Sequence, residues 1–149
     1  MLGVRRFRGL AGGASALVLA GLTLLACGCG NGREPAYTVR GQVLDAQQKP
    51  AVGALVVFHP AETSAGDAVK PVGQVDETGA FSLTTYTKGD GAPAGEYVVT
   101  VTWPAPRKGP FEPEGGDRLN GRYANPKSST IRFKVQAQAL NEVPVIQLR

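Results

Sequence analysis

Apolar and polar residues alternate along several short segments that begin after residue 36. In the segment 37–44, Tyr37, Val39 and Val43 fall on one face, and mostly polar residues fall on the other. A period of two is the pattern of a half-buried β-strand. The same alternation recurs in three later segments, 81–85, 96–103 and 130–135. Of these, 96–103 is the longest, and it predicts a strand with a large buried face.

Three further segments complete the predicted strand set. Ala54–His59 is apolar on both faces, which is typical of a central strand. Val69–Val75 is a weaker strand that Pro71 interrupts, and in 143–148 the residue Pro144 favours a closing strand at a sheet edge. Seven short strands separated by turn residues, with no helix longer than one turn, predict an all-β sandwich.

The segment Pro104–Asn120 is predicted to be a loop without regular structure, because four prolines interrupt it. A loop of this length in a small domain often has a function. Trp103 has the same strand parity as Val99 and Val101, so we expect its ring to pack inward, whereas Phe111 is the freer aromatic residue. Aromatic rings beside polar groups can stack on sugars or dock a partner. The candidate binding surface therefore consists of Trp103, Arg107, Lys108 and Phe111.

The N-terminal segment has the pattern of an export signal. Arg5, Arg6 and Arg8 precede an uncharged, apolar run over 10–26. This order predicts a helical signal peptide. The run is shorter than the ~20 apolar residues of a membrane-spanning helix, although an uncleaved signal anchor stays open as an alternative.

The sequence Leu-Leu-Ala-Cys at 24–27 resembles a bacterial lipobox, in which the signal peptide is cut before the cysteine and the thiol receives a diacylglycerol. The resemblance implies a signal peptide over 1–26, a lipidated flexible tether over 27–36 and a domain over 37–149. Cys29 is the alternative acceptor, but the triplet before it lacks the leucine that the first place favours. Two or three acyl chains, such as palmitate, hold a protein stably on a membrane.

The lipobox also implies a location. The chain is expected to be exported and anchored in a membrane, and Gly28 in place of an aspartate after Cys27 suits sorting to the outer membrane or the cell surface. A disulfide between Cys27 and Cys29 would close a strained ring, so it is not expected.

Composition and charge narrow the class of protein. The chain has 149 residues, with 20 Gly and 11 Pro, which fits one small domain with many turns. Its net charge is +4, but three of the 16 basic residues lie in the first eight positions, which leaves 13 basic against 12 acidic residues. Binding to nucleic acid needs a concentrated basic face. Nucleic acid is therefore not expected as a partner.

Catalytic residues are scarce. A serine or cysteine triad would need His59, the single histidine, as its base. His59 follows an apolar strand and precedes Pro60, which predicts a solvent-facing side chain at a strand end. The carboxylates of Asp76, Glu77 and Asp90 lack the spacing of a calcium loop. We therefore expect no enzymatic activity, no metal and no cofactor.

Three segments resemble a known family in their order along the chain. They are Val39–Val43 leading to Lys49–Phe58, Asp76–Leu83, and Pro93–Val101. These segments resemble carboxypeptidase regulatory-like domains, which are relatives of transthyretin-like and collagen-adhesin B-type sandwiches. The segment 122–129 is similar to a late element of small bacterial lipoproteins of this group. The resemblance implies a seven-stranded antiparallel Greek-key β-sandwich of the transthyretin (prealbumin) type. The family is named after a domain that accompanies a zinc carboxypeptidase domain, so the name implies no enzymatic activity.

One enzymatic activity and one covalent cross-link that occur among relatives of this family are not expected here. Hydroxyisourate hydrolases use several histidines and a C-terminal Tyr-Arg-Gly-Ser, whereas this sequence has only His59 and ends in Ile-Gln-Leu-Arg. Collagen-adhesin B-type domains often form an isopeptide bond between a lysine in the first strand and an asparagine in the last. In this sequence Arg40 stands in the first strand and Asn141 lacks a lysine partner, so no such bond is expected.

Together these features predict a non-enzymatic, lipid-anchored accessory protein of the cell envelope or cell surface. Its rigid sandwich would present loops to a protein or a glycan. The alternative is a carbohydrate-binding module or a ligand-capture component of a transport system. The sequence leaves the identity of the partner and the oligomeric state open.

Overall fold

The described part of the chain contains nine short strands. A computed structural model describes residues 33–62, 68–107, 109 and 115–149. The predicted signal peptide, Cys27, Cys29, Lys108 and Phe111 lie outside the described residues. The strands are β1 (Ala36–Leu44), β2 (Leu55–Pro60), β3 (Val72–Gln74), β4 (Ala80–Ser82), β5 (Ala92–Pro93), β6 (Gly95–Thr102), β7 (Arg132–Val135), β8 (Leu140–Glu142) and β9 (Ile146–Gln147).

The strands form two sheets, which confirms the predicted all-β sandwich. One sheet has the order β3-β2-β6-β7, and all its neighbours are antiparallel. The segment with apolar residues on both faces, β2, lies between β3 and β6, as its pattern predicted. No helix among the described residues is long and apolar enough to cross a bilayer.

The other sheet is built around β1. Strands β4 and β5 pair with β1 in antiparallel orientation, whereas β8 and β9 pair with it in parallel. The parallel pairs differ from the fully antiparallel sandwich that the family resemblance implied. The chain leaves β7 at the end of the domain where β1 begins. Val135, the last residue of β7, pairs with Gly95, and Ala36, the first residue of β1, pairs with Pro93, which is only two residues before Gly95. After that short crossing β8 runs in the direction of β1.

Each of the seven predicted segments overlaps one strand, and β5 and β8 are additional. Pro144 lies in the gap between β8 and β9, where Glu142 is opposite Arg40 and Ile146 is opposite Val43. The later strand thus uses one more residue than β1 over this stretch, as in a β-bulge. A bulge tolerates proline, because no ladder hydrogen bond is required from its missing N–H.

The core lies between the inner faces of the two sheets. Phe58 is fully buried, with its ring centroid 5.6 Å from that of Tyr97 and 6.1 Å from that of Phe133. Val39 and Val43 of β1 are buried on the predicted face. Among the described residues, every buried side-chain nitrogen or oxygen has a hydrogen-bond partner. A core of packed apolar side chains with satisfied polar atoms makes the sandwich a rigid support for its loops.

The two ends of the sandwich carry different parts of the chain. We call the end that holds Ala36, the first residue of β1, the entry end. The opposite end, the far end, holds Leu44 at the end of β1, and the pair formed by Leu55 of β2 and Thr102 of β6. The loop that begins at Trp103 therefore lies at the far end.

Candidate functional site

Trp103 directly follows β6, and its side chain points into the core as its parity predicted. The residue is only 8% exposed, and its indole Nε1–H donates to the carbonyl oxygen of Val52 at 2.9 Å. A buried ring of this kind cannot act as an exposed platform for a sugar. Trp103 thus lies beneath the candidate surface and supports it from below.

Arg118 covers the ring of Trp103. Its guanidinium carbon lies 3.7 Å from the ring centroid, and its backbone N–H donates to the carbonyl oxygen of Trp103 at 2.8 Å. A guanidinium over an indole face is favoured by a cation–π interaction of ~0.5–1 kcal/mol at exposed sites. Because two contacts hold it to one residue, Arg118 presents its charge at a fixed place on the surface.

Asp117 organises the loop at the same point. One carboxylate oxygen accepts from the backbone N–H groups of Trp103 at 2.8 Å and Leu119 at 3.1 Å, and the other accepts from Gly121 at 2.9 Å. Partial burial acts to raise the pKa of Asp117, but these three backbone hydrogen bonds outweigh it and hold the pKa below its ordinary value. The carboxylate is therefore ionised and already satisfied by its own loop.

The base of the 104–120 loop is more regular than the sequence predicted. Pro104 forms a bridge with Asp117. Ala105 donates its N–H to the Gly116 carbonyl oxygen at 3.1 Å and accepts from the Gly115 N–H at 3.0 Å. Ala105 lies between two prolines, which have no backbone N–H, so Ala105 supplies the N–H donor at this point and its carbonyl oxygen also accepts. The loop is thus pinned at its base.

One open groove of about 480 Å³ lies beside this loop at the far end. Val52 and Leu55, which are 47% and 37% exposed, supply part of its apolar wall. Its remaining walls include Pro104, Pro106, Arg107 and Arg118. Of the predicted surface residues, Arg107 and Trp103 thus line one groove. We call it the apolar groove.

A second open pocket of about 550 Å³ also has Trp103 and Arg118 in its wall. We call it the arginine pocket, because Arg122 and Arg149 line it as well. Arg122 donates to the main-chain carboxylate of Arg149, the last residue of the sequence. The backbone N–H of Arg149 donates to the Tyr123 hydroxyl at 3.0 Å. Sequence reasoning missed Arg122 and Arg149, because only the long-range pairing of β9 with β1 brings residue 149 to this loop.

His59 is at a strand end, as predicted, but it is partly buried and not solvent-facing. Its Nε2 lies 2.9 Å from Oγ1 of Thr100, which is 3% exposed. Burial and the positive charge of Lys70 lower the pKa of His59. The ring thus contacts a buried hydroxyl on the sheet. It is four residues along β2 from Leu55, which lines the apolar groove.

The aspartates that sequence analysis weighed as metal ligands serve the backbone. Asp76 accepts from the N–H groups of Thr78 and Ala80, and Asp90 accepts from Thr85, Tyr86 and Thr87. Within residues 33–62, 68–107, 109 and 115–149 there is no group of three or more His, Cys, Asp or Glu side chains that could hold a metal ion. These carboxylates shape turns.

Asn141 also has a structural role. It is 2% exposed, its amide donates to the Gln136 carbonyl oxygen at 3.1 Å, and its oxygen accepts from the Gln136 N–H at 2.8 Å. Both ends of its amide therefore close the connection between β7 and β8.

The fold and the site define a β-sandwich with a loop-built groove at one end. No family model matches the chain, and no curated protein matches it either. It is similar to part of a 9R-lipoxygenase from Cyanothece PCC8801, with a TM-score of 0.44 and 13% identity, over 76% of this chain and 16% of that one. It is also similar to part of BcpA, the major pilin subunit of Bacillus cereus, with a TM-score of 0.42 and 12% identity, over 75% of this chain and 29% of that one. This chain thus spans less than a third of either protein.

Proposed function

We propose that the protein is an exported, lipid-anchored and non-enzymatic accessory of the cell envelope, which binds a segment of a partner protein in the apolar groove. The observation that carries this proposal is the position of the groove. It lies at the far end of the sandwich, whereas the chain enters the domain at the opposite end.

This position suits a tethered binding module. β1 has nine residues, so it spans roughly 30 Å between the two ends at ~3.3 Å per residue. A lipid on Cys27 would hold the entry end near the membrane through the tether 27–36. The groove would then face away from the membrane, where a partner can reach it.

The surface of the groove favours a protein over a glycan. The apolar part of its wall consists of aliphatic and proline side chains, such as Val52, Leu55 and Pro106, and the ring of Trp103 is buried beneath them. None of the described lining residues offers an exposed aromatic ring for sugar stacking. Apolar side chains of an extended peptide can bury against such a wall.

A binding role also agrees with the chemistry elsewhere. His59 bonds to a buried threonine hydroxyl away from the groove, and the carboxylate of Asp117 is held by three backbone amides. His59 is thus remote from the groove, and Asp117, although it lines the groove, has both carboxylate oxygens engaged by its own loop. The resemblance of 39–43, 49–58, 76–83 and 93–101 to carboxypeptidase regulatory-like domains supports an accessory role.

Mass spectrometry of the mature protein tests the anchor. We expect an N-terminal Cys27 that carries diacylglycerol, and we expect Cys27→Ser to abolish the lipid and release the protein from the membrane fraction. Cys29→Ser is the matched control and should leave both unchanged. A full-length chain without lipid, or a lipid that only Cys29→Ser removes, would show that the assignment is wrong.

Photo-crosslinking in cells tests the groove. A photoreactive residue at Val52 is expected to form an adduct with one envelope protein, and the adduct should disappear with Leu55→Asp. Leu140, which is 41% exposed and lies on β8 at the entry end, is the control position. An adduct with polysaccharide, or equal adducts from positions 52 and 140, would contradict a protein-binding groove.

A further inference from the structure

We propose that the arginine pocket recognises a carboxylate on an acidic side chain of the segment that binds in the apolar groove. This inference rests on the proposed function and names the chemistry of the partner. Three arginines, Arg118, Arg122 and Arg149, line the pocket. The apolar groove beside it shares Arg118.

The first step of the argument is that two of these groups are held in place before any ligand arrives. Arg118 stacks on Trp103, which is itself bonded to the Val52 carbonyl oxygen. Arg122 donates one of its N–H groups to the main-chain carboxylate of Arg149. A guanidinium has five N–H donors, so each arginine keeps donors for a ligand. Because these contacts already restrict Arg118 and Arg122, binding orders fewer side chains.

The second step concerns the charge of the pocket. Asp45 is the one carboxylate side chain among the described lining residues. Its Oδ1 accepts from the backbone N–H groups of Gln47 at 2.8 Å and Lys49 at 2.9 Å. The main-chain carboxylate of Arg149, the last residue of the sequence, also faces the pocket and accepts from Arg122. Three arginines thus stand against two carboxylates, so one positive charge is left over and the pocket favours an anion.

The third step concerns the class of anion. The planar fork of arginine matches a carboxylate with two parallel hydrogen bonds. Arg118 lines both cavities, so one extended segment can place an apolar side chain against Val52 and Leu55 and an acidic side chain in the arginine pocket. Successive side chains of an extended segment point to alternate sides. A segment with apolar and acidic residues close together therefore fits the two cavities.

The experiment uses the full chain purified in detergent micelles. Peptides are selected against it from a displayed library of random sequences, and their affinities are measured by fluorescence anisotropy. We expect selected peptides to be enriched in Asp and Glu beside an apolar residue. Replacing that acid by its amide should weaken binding about tenfold or more, the range of a charge-assisted hydrogen bond.

Matched variants locate the contact. Arg118→Gln and Arg122→Gln should each weaken an acidic peptide by about tenfold and leave its amide version almost unchanged. Arg118→Lys is the substitute if Arg118→Gln disturbs the fold. Lysine keeps the positive charge and still covers Trp103, but it lacks the planar guanidinium that makes two parallel hydrogen bonds to a carboxylate. Arg40→Gln, an exposed arginine in the middle of β1, is the control and should bind like the original protein.

The outcomes separate this inference from the proposed function. Peptides that lose binding with Val52→Asp but are unaffected by the acid-to-amide change and by both arginine variants would overturn the carboxylate site and keep the groove. Selection of no peptide would overturn the groove, and with it the inference. The remaining outcome is that the selected peptides need only the carboxylate at their own C-terminus. Loss of binding when that C-terminus is amidated, with no effect of changing the acidic side chains, would overturn the side-chain assignment.

Discussion

The indole N–H of Trp103 donates a 2.9 Å hydrogen bond to the carbonyl oxygen of Val52, a residue 51 positions earlier in the chain. This bond joins the turn before β2 to the start of the loop after β6. The bond lies beside both cavities. Val52 lines the apolar groove, and Arg118, which stacks on the Trp103 ring, lines both the apolar groove and the arginine pocket. The buried side chain of Trp103 thus connects Val52 of the apolar groove with Arg118 of the arginine pocket.

Trp103→Phe should destabilise the protein by about 1–3 kcal/mol, because the Val52 carbonyl would lose its partner in a partly buried place and a small cavity would remain. Equilibrium unfolding in urea measures the change. Val52→Ala, which shortens a side chain that is 47% exposed and keeps the backbone hydrogen bond, is the control and should change stability by less than about 0.5 kcal/mol. Equal stability of the two variants would mean that the indole bond does not hold the junction.

Gly91→Ala should be among the most damaging single changes in the domain. Gly91 has a φ of +95°, and an added Cβ would overlap the carbonyl oxygen of Tyr37 in β1. Backbone cannot move aside cheaply, so we expect a loss of about 3 kcal/mol or more, or no folded protein. The measurement is the urea midpoint or, if the variant does not fold, the yield of soluble protein.

Gly116→Ala is the control for this prediction. An added Cβ at Gly116 meets nothing within 4 Å, and its φ lies outside the left-handed region. The variant should be within about 0.5 kcal/mol of the original. If Gly91→Ala were equally well tolerated, the close approach of residues 91 and 37 would be wrong.

The strand pattern was predictable because each strand buries one face, and burial leaves a period of two in the sequence. Val39 and Val43 show it in β1, and Val99 and Val101 show it in β6. The two additional strands leave no such trace, because β5 has only two residues and one of them is Pro93. The parallel pairing of β1 with β9 joins residues about a hundred positions apart, and no local pattern encodes such a partner.

The site was predictable only in part. The parity of Trp103 correctly placed its ring in the core, but its cover by Arg118 depends on how the two arms of the loop pair, through Pro104 and Asp117. Arg149 is adjacent to β9, and its place beside Arg122 follows from long-range pairing. A cationic pocket assembled from three separated segments has no sequence motif.

Asp117→Asn should destabilise the protein at neutral pH by roughly 1 kcal/mol, a modest value because the carboxylate is partly solvated. Asparagine can still accept from Trp103 and Leu119 through its oxygen, but its amide nitrogen cannot accept from the Gly121 N–H. Urea unfolding at pH 7 measures the change. Glu142→Gln, at an exposed position of β8, is the control and should have little effect.

The pH dependence of this pair supplies a second test. The pKa of Asp117 is lower in the folded than in the unfolded protein, so its ionised form stabilises the fold at pH values above about 4. That contribution is lost as the pH falls through the folded pKa, because both states are then protonated. The stability difference between the original protein and Asp117→Asn should therefore shrink in acid, and a constant difference from pH 7 to pH 3 would contradict the role of the charge.

His59 offers a probe that needs no assignment, since it is the single histidine of the chain. Burial, and then the charge of Lys70, lower its pKa, so an NMR titration should give a value below the ordinary ~6.5. The folded protein then binds fewer protons than the unfolded chain, and stability must fall as the pH drops through about 6.5. Lys70→Gln should raise the pKa part of the way towards 6.5, because it removes the repulsion but keeps the burial. Lys127→Gln, at an exposed turn, should leave the titration unchanged, and a pKa of 6.5 or above in the original protein would contradict the packing of His59 against Thr100.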